Sequence, residues 1–186
     1  MLINGMLYNS EAWHAITEAE IRILETVDES LLRALVNGHA KTPLEFLYLE
    51  AGAMPIRFIL SARRLTFHQT ILKREKSEIT RKIYEEQKLN PTAGDFVELI
   101  MQDFKIIDKT QKDEDIRNTN TKVYKSKIKS CVKSAAFNYL KQKLRTHSKV
   151  KHIDYKSFET QKYMTSPIFT DIEVNLFHRL RSRSTE

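Results

Sequence analysis

The side chains in this 186-residue chain that could do acid–base or metal chemistry are its six histidines, its one cysteine and its carboxylates. Their spacing arranges few of them for it. His147 and His152 stand five apart in a loop-like stretch with no cysteine or carboxylate pair beside them, a poor match to the spacings that hold zinc. Glu11 and His14 fall on one helical turn, within reach of each other as an acid–base pair, yet an isolated Glu and His is also ordinary surface. The chain carries no glycine-rich phosphate loop, no HExxH, no GxSxG, and no paired aspartates of the kind that hold two magnesium ions. Cys131 is alone, which excludes an internal disulfide and a cysteine-clustered metal site and leaves small apolar packing as its reading. The sequence therefore predicts no catalytic residue, no metal and no cofactor.

What remains is charge. Of the 31 Lys and Arg, eleven lie between residues 116 and 153, and all 24 Asp and Glu lie elsewhere. An acidic body with one basic segment is a directed charge, suited to a phosphate backbone. The phosphate contacts expected there are Lys125, Lys129, Lys133, Lys141, Arg145, Lys149 and Lys151. Arg57 and Arg64 are added from an outward-facing polar stripe elsewhere. Tyr124, Tyr139 and Tyr155 are interleaved and could stack on unpaired bases. The first two also sit on an apolar stripe, which reads them as core. The charge run itself could equally be a solvated face, or one that meets an acidic partner.

The elements that must position these residues read as helices. Only four Gly and four Pro, against 30% charged residues, disfavour a turn-rich sheet. Thr17 with Glu20 caps a first helix, whose Ile21, Leu24, Val27 or Asp28, Leu31 and Leu35 form one buried face as far as Gly38. Thr42, Pro43 and Glu45 look like a capping box with proline in the first turn, for a helix that stops at Gly52. A helix from about 55 to 73 follows. Its apolar residues occupy most of its circumference, leaving a narrow stripe of Arg57, Ser61, Arg64 and His68, so it should be nearly surrounded. Arg63, inside the apolar arc, calls for a carboxylate partner, expected from Glu45 or Glu50. Helices over Ser77 to Leu89, Asp95 to Ile107 and Thr121 to Arg145 come next, then a basic loop at 146–151. A short helix around Ser157 to Met164, broken at Ser166 and Pro167, precedes a last one capped by Thr170 and Glu173. The polar run 108–120 reads as a linker.

The expected fold is all-α: an irregular multi-helix bundle around the helix at 55–73, with a second, basic helical subdomain. Residues 1–108 form one domain, 109–120 the linker and 121–186 the subdomain, and both chain ends look cut. No run approaches the length of a membrane span and no signal peptide is recognisable, so the protein is expected inside the cell.

Six segments carry a resemblance: LINGMLYNSEAWHAIT, LETVDESLLRAL, TPLEFLYLEAGAMPIRFILSARRLTF, NPTAGDFVELI, AAFNYLKQKLRTHSKVKHIDY and SPIFTDIEVNLFHRLRSRSTE. In order and spacing they resemble the end of the thumb and the post-thumb linker of non-LTR, LINE-type retrotransposon reverse transcriptases that carry a restriction-like endonuclease. The resemblance implies a noncatalytic piece of a polyprotein, because the polymerase aspartates and the nuclease would lie outside it. It also implies a nuclear setting, and partners that are RNA template or target DNA and the remainder of the polyprotein, with no membrane and no small-molecule substrate. The alternative expectation is a helical interaction or scaffolding module that does not touch nucleic acid.

Overall fold

The computed structural model describes residues 5–13, 16–36, 38, 40–109, 111–165 and 170–182, and the expectations placed on His14, Ser166 and Pro167 lie outside them. Among the described residues there are nine α-helices and no strand: α1 Glu18–Val36, α2 Leu44–Ala51, α3 Ile56–Lys73, α4 Ile79–Leu89, α5 Phe96–Ile106, α6 Asp113–Asn118, α7 Thr121–Leu144, α8 Lys162–Thr165 and α9 Asp171–Ser182. The fold is all-α. Its contacts partition the chain into one unit of residues 1–22 with 56–135 and another of residues 23–55 with 136–186. This differs from the expected division at 109–120.

In the first unit α3 is the centre, touched by the 3-10 turn Ser10–Ala12 and by α4, α5 and α6. Its apolar residues Ile56, Phe58, Leu60, Leu65, Ile71 and Leu72 are buried, as expected of a surrounded helix. The polar stripe is not outward-facing. Ser61, Arg64 and His68 are buried as well, because the neighbouring helices supply a partner for each. Asp103 of α5 accepts from Ser61 Oγ at 2.6 Å and from Arg64 Nε and Nη2 at 2.7 and 2.8 Å. His68 Nε2 lies 2.9 Å from Tyr84 Oη of α4. Next to His68, Gln69 Nε2 donates to the carbonyls of Ile116 and Thr119, and one turn on Lys73 Nζ donates to that of Thr119 and to Thr121 Oγ1. Bonds of this kind make the burial of a polar stripe tolerable, although His68 Nδ1 and Gln69 Oε1 are buried without a partner.

These bonds also explain why the polar run is no linker. Six of its residues form α6, with Ile116 wholly buried and two carbonyls of the run held by Gln69. Arg63 finds neither Glu45 nor Glu50. It donates to the carbonyl of Leu7 and lies 3.8 Å from Glu11 Oε2, satisfied by the segment before α1.

In the second unit α2 is the centre, with Phe46, Leu47, Tyr48, Leu49 and Glu50 buried in succession. Such a run suits a helix covered all round. Tyr48 donates to buried Asp28, so the buried face of α1 here is Asp28, Leu32 and Val36 rather than Leu31 and Leu35, and Leu35 is 79% exposed. Glu50 is fully buried, and its carboxyl is bonded on every side: Tyr155 and Tyr163 donate to it and Arg181 of α9 holds Oε1 at 2.9 and 3.1 Å. α2 ends at Gly52, whose φ of 60° is left-handed and whose N–H closes onto Leu49 and Tyr48 carbonyls. A Cβ there would stand 2.4 Å from Thr160 N, so glycine is needed for space as well as for conformation.

The capping expectations divide. At α1, Thr17 and Glu20 bond reciprocally, and at α9 Thr170 and Glu173 do the same. Asp95 caps α5 through Glu98 N at 2.8 Å. At α2 the box does not form. Pro43 takes the cap position, Thr42 Oγ1 is buried without a partner, and Glu45 turns to His147 Nε2 at 3.2 Å. The helix expected around Ser157 to Met164 shrinks to the single turn α8.

Candidate nucleic-acid interface

α7 begins where Asn120 Oδ1 accepts from Lys122 N at 2.9 Å. Its buried positions recur every four residues: Tyr124, Ile128 and Val132 in the first unit, Ala136, Leu140 and Leu144 in the second. A four-residue repeat drifts slowly round a helix, because 3.6 residues make a turn. In the first unit the seam is narrow enough to leave the rest of the surface in water. Lys122, Lys125, Lys127, Lys129 and Lys133 are all exposed, and so are Ser126, Ser130 and Ser134.

Three of those lysines are each followed by a serine, at 125–126, 129–130 and 133–134, and the steps are four residues apart. Each step advances about 6 Å along the helix. That is the order of the separation between successive phosphates on one strand. Each rung offers an ammonium and a hydroxyl, a charge and a donor suited to a phosphate oxygen. The serines were missed in reading the sequence because only charge was followed there; the Lys-Ser repeat was visible in it. The row lies beside the buried seam rather than opposite it, and no carboxylate among the described residues pairs with Lys125 or Lys129. Of the acidic run that could have covered them, Asp113 is engaged elsewhere. Asp113 accepts from Lys88 Nζ at 2.6 Å and from Tyr84 Oη at 3.0 Å.

The second unit holds a separate basic set, in which Arg145, Lys149 and Lys151 are exposed. They ride on a turn pinned by Val150, which is wholly buried, and by bonds from Val150 N and Lys151 N to the His147 carbonyl. Lys141 does not belong with them. It is half-buried, donates to Asp154 Oδ1 at 2.8 Å and to the Tyr155 carbonyl at 3.0 Å, and lies over the Phe137 ring. The hydrogen bond and charge of Lys141 hold the Asp154 carboxyl below its ordinary range.

Arg57 and Arg64 are corrected too. Arg64 is 6% exposed in its forked bond to Asp103, out of reach of any phosphate, and Arg57 is half-buried with Glu18 at 3.8 Å. Of the three tyrosines, Tyr124 and Tyr155 are core. Tyr139, expected on the apolar seam, is 36% exposed with Lys143 Nζ 5.8 Å from its ring centre. It is the one placed to meet a base.

Among the described residues no group of three His, Cys, Asp or Glu is arranged to hold a metal ion, and no helix is long and apolar enough to cross a membrane. Comparison with protein-family models, with curated proteins and with solved structures finds no match.

Proposed function

We propose that this chain is a noncatalytic helical segment of a retrotransposon-type reverse transcriptase polyprotein, and that it binds RNA or DNA through α7 inside the nucleus. The observation that carries the binding is the exposed ladder of Lys125–Ser126, Lys129–Ser130 and Lys133–Ser134, in which no carboxylate among the described residues pairs with Lys125 or Lys129. Arg145, Lys149 and Lys151 supply a second set of contacts. The parentage rests on the order and spacing of the six segments named above.

A second reading, a helical interaction module, is favoured by the apolar side chains that α9 leaves in water: Ile172, Leu176, Phe177 and Leu180 are 42 to 80% exposed. Fluorescence anisotropy with labelled single-stranded RNA, single-stranded DNA and duplex separates the two. The K125Q/K129Q/K133Q variant is expected to lose about tenfold or more in affinity, at roughly 1 kcal/mol or less per lost contact. Equal binding by variant and parent would remove the α7 ladder from the site, and no binding by either at low salt in a folded chain would leave only the interaction module.

A further inference from the structure

The side chains that α7 leaves in water in the first unit limit how it can hold a strand. Tyr124, Ile128 and Val132 are its buried seam. Lys125, Lys129 and Lys133 each follow a seam residue by one position and Ser126, Ser130 and Ser134 by two, which puts them about 100° and about 200° round the helix. The serines are therefore the crest opposite the seam, and the three lysines are one shoulder of it. The other shoulder, about 300° round, starts with exposed Lys127 and continues with Cys131 and Ala135, both half-buried. Charge repeats on one side only.

A helix that reads sequence from a duplex groove needs long side chains along its crest. Arg, Asn, Gln, Asp and Glu do this, because their donors and acceptors match one base edge and not another. It also meets a phosphate backbone on each wall of the groove, which calls for cations on both shoulders. Neither demand is met here. The crest is three short hydroxymethyl groups, and residues 121–135 contain none of those five residue types. Lysine offers a point charge without the planar fork of arginine, and a serine hydroxyl, donor and acceptor at once, pairs with any base. What a row of this kind suits is a line of like acceptors, about 6 Å apart and on one side of the helix.

Resting on the reading of α7 proposed above, we infer that the row holds one strand by successive phosphates and does not read its base sequence. Lys125, Lys129 and Lys133 supply the charge, and Ser126, Ser130 and Ser134 donate hydrogen bonds to the same phosphate oxygens. The strand is RNA or DNA, since the phosphate is common to both.

The test is fluorescence anisotropy of the whole chain at low salt with labelled single strands of equal length, all-uracil (thymine in DNA), all-cytosine and mixed in sequence, each made as RNA and as DNA. Dissociation constants are expected to agree within about threefold across sequences; a constant offset between RNA and DNA would tell which sugar the row prefers and keep the base-blind reading. S126A/S130A/S134A, which places good helix formers at exposed positions, should weaken every strand about threefold to tenfold and leave the salt slope unchanged, because a hydroxyl releases no counterion. K125Q should cost about threefold to fivefold, and K127Q, on the other shoulder, less than about twofold. A preference of about tenfold or more for one sequence, a serine variant that binds like the parent, or a K127Q loss equal to that of K125Q would overturn the inference while leaving binding through α7 in place. No binding of any strand by the folded chain would remove the proposed function as well, so the two failures are told apart.

Discussion

A guanidinium taken almost wholly out of water is held there by one carboxylate, and Arg64 with Asp103 shows how strictly that must be done. Both are buried, the bond is forked, and Ser61 fills a further lone pair. Removing one partner strands the other charge, so R64A is expected to cost about 3 to 5 kcal/mol in urea unfolding. Replacing both residues by apolar ones of similar size should cost much less; an equal loss would mean the pair itself is the source of stability. His68 gives a second residue-scale prediction. Its folded pKa is lowered from 6.5 to about 4, so between those values the unfolded chain binds a proton that the folded one refuses. The stability its neutral ring contributes is present above pH 6.5 and is lost as pH falls toward 4, by about 2 to 3 kcal/mol at pH 4.5. Asp113, which burial opposes but Lys88, His68 and Tyr84 hold below the ordinary carboxylate pKa, adds to the acid loss only at lower pH. A flat stability profile from pH 6.5 to 4.5 would contradict the buried neutral histidine. At this scale the sequence was least informative. Arg64 and His68 read as an outward stripe because their partners Asp103 and Tyr84 are 39 and 16 residues away, and a helical wheel records which residues share a face, not what lies opposite.

Helix starts were legible where the bond is local. Thr17 with Glu20 and Thr170 with Glu173 each close within three residues, and both caps form; Asp95 with Glu98 caps α5 in the same way, a cap the sequence reading did not name. Thr42 with Glu45 has the same spacing and fails, because His147, about a hundred residues on, takes Glu45. The polar run became α6 for a similar reason: Gln69 of α3 offers two donors to its backbone, and Ile116 is its one apolar residue positioned to be buried. The end of α2 was read correctly at Gly52, and the structure adds why no other residue serves. G52A would strain a left-handed φ and drive a Cβ onto the backbone at Thr160, so a loss of about 2 kcal/mol or more is expected in thermal or urea unfolding. A neutral G52A would mean that the 159–160 segment does not lie against α2.

Across the whole chain, the all-helical class and the central helix at 56–73 were legible, because low glycine and proline content and a broad apolar circumference are properties of the sequence alone. The partition was not, since α1 and α7 each contribute residues to both units. The basic segment likewise divides into the α7 ladder and the set around Val150, while Lys141 is withdrawn into its contacts with Asp154 and Tyr155. Binding through these lysines must release counterions, and the number released can be read from salt. The most direct measurement is therefore the slope of log affinity against log salt for the parent and for K125Q/K129Q/K133Q. Three phosphate contacts from the ladder give a slope of about −3 on duplex and about −2 on single strands, and six, with Arg145, Lys149 and Lys151 engaged, give about −5 and −4. The variant should lose about −3 of the duplex slope. A parent slope near zero, or a variant slope as steep as the parent's, would contradict nucleic-acid binding by the α7 ladder.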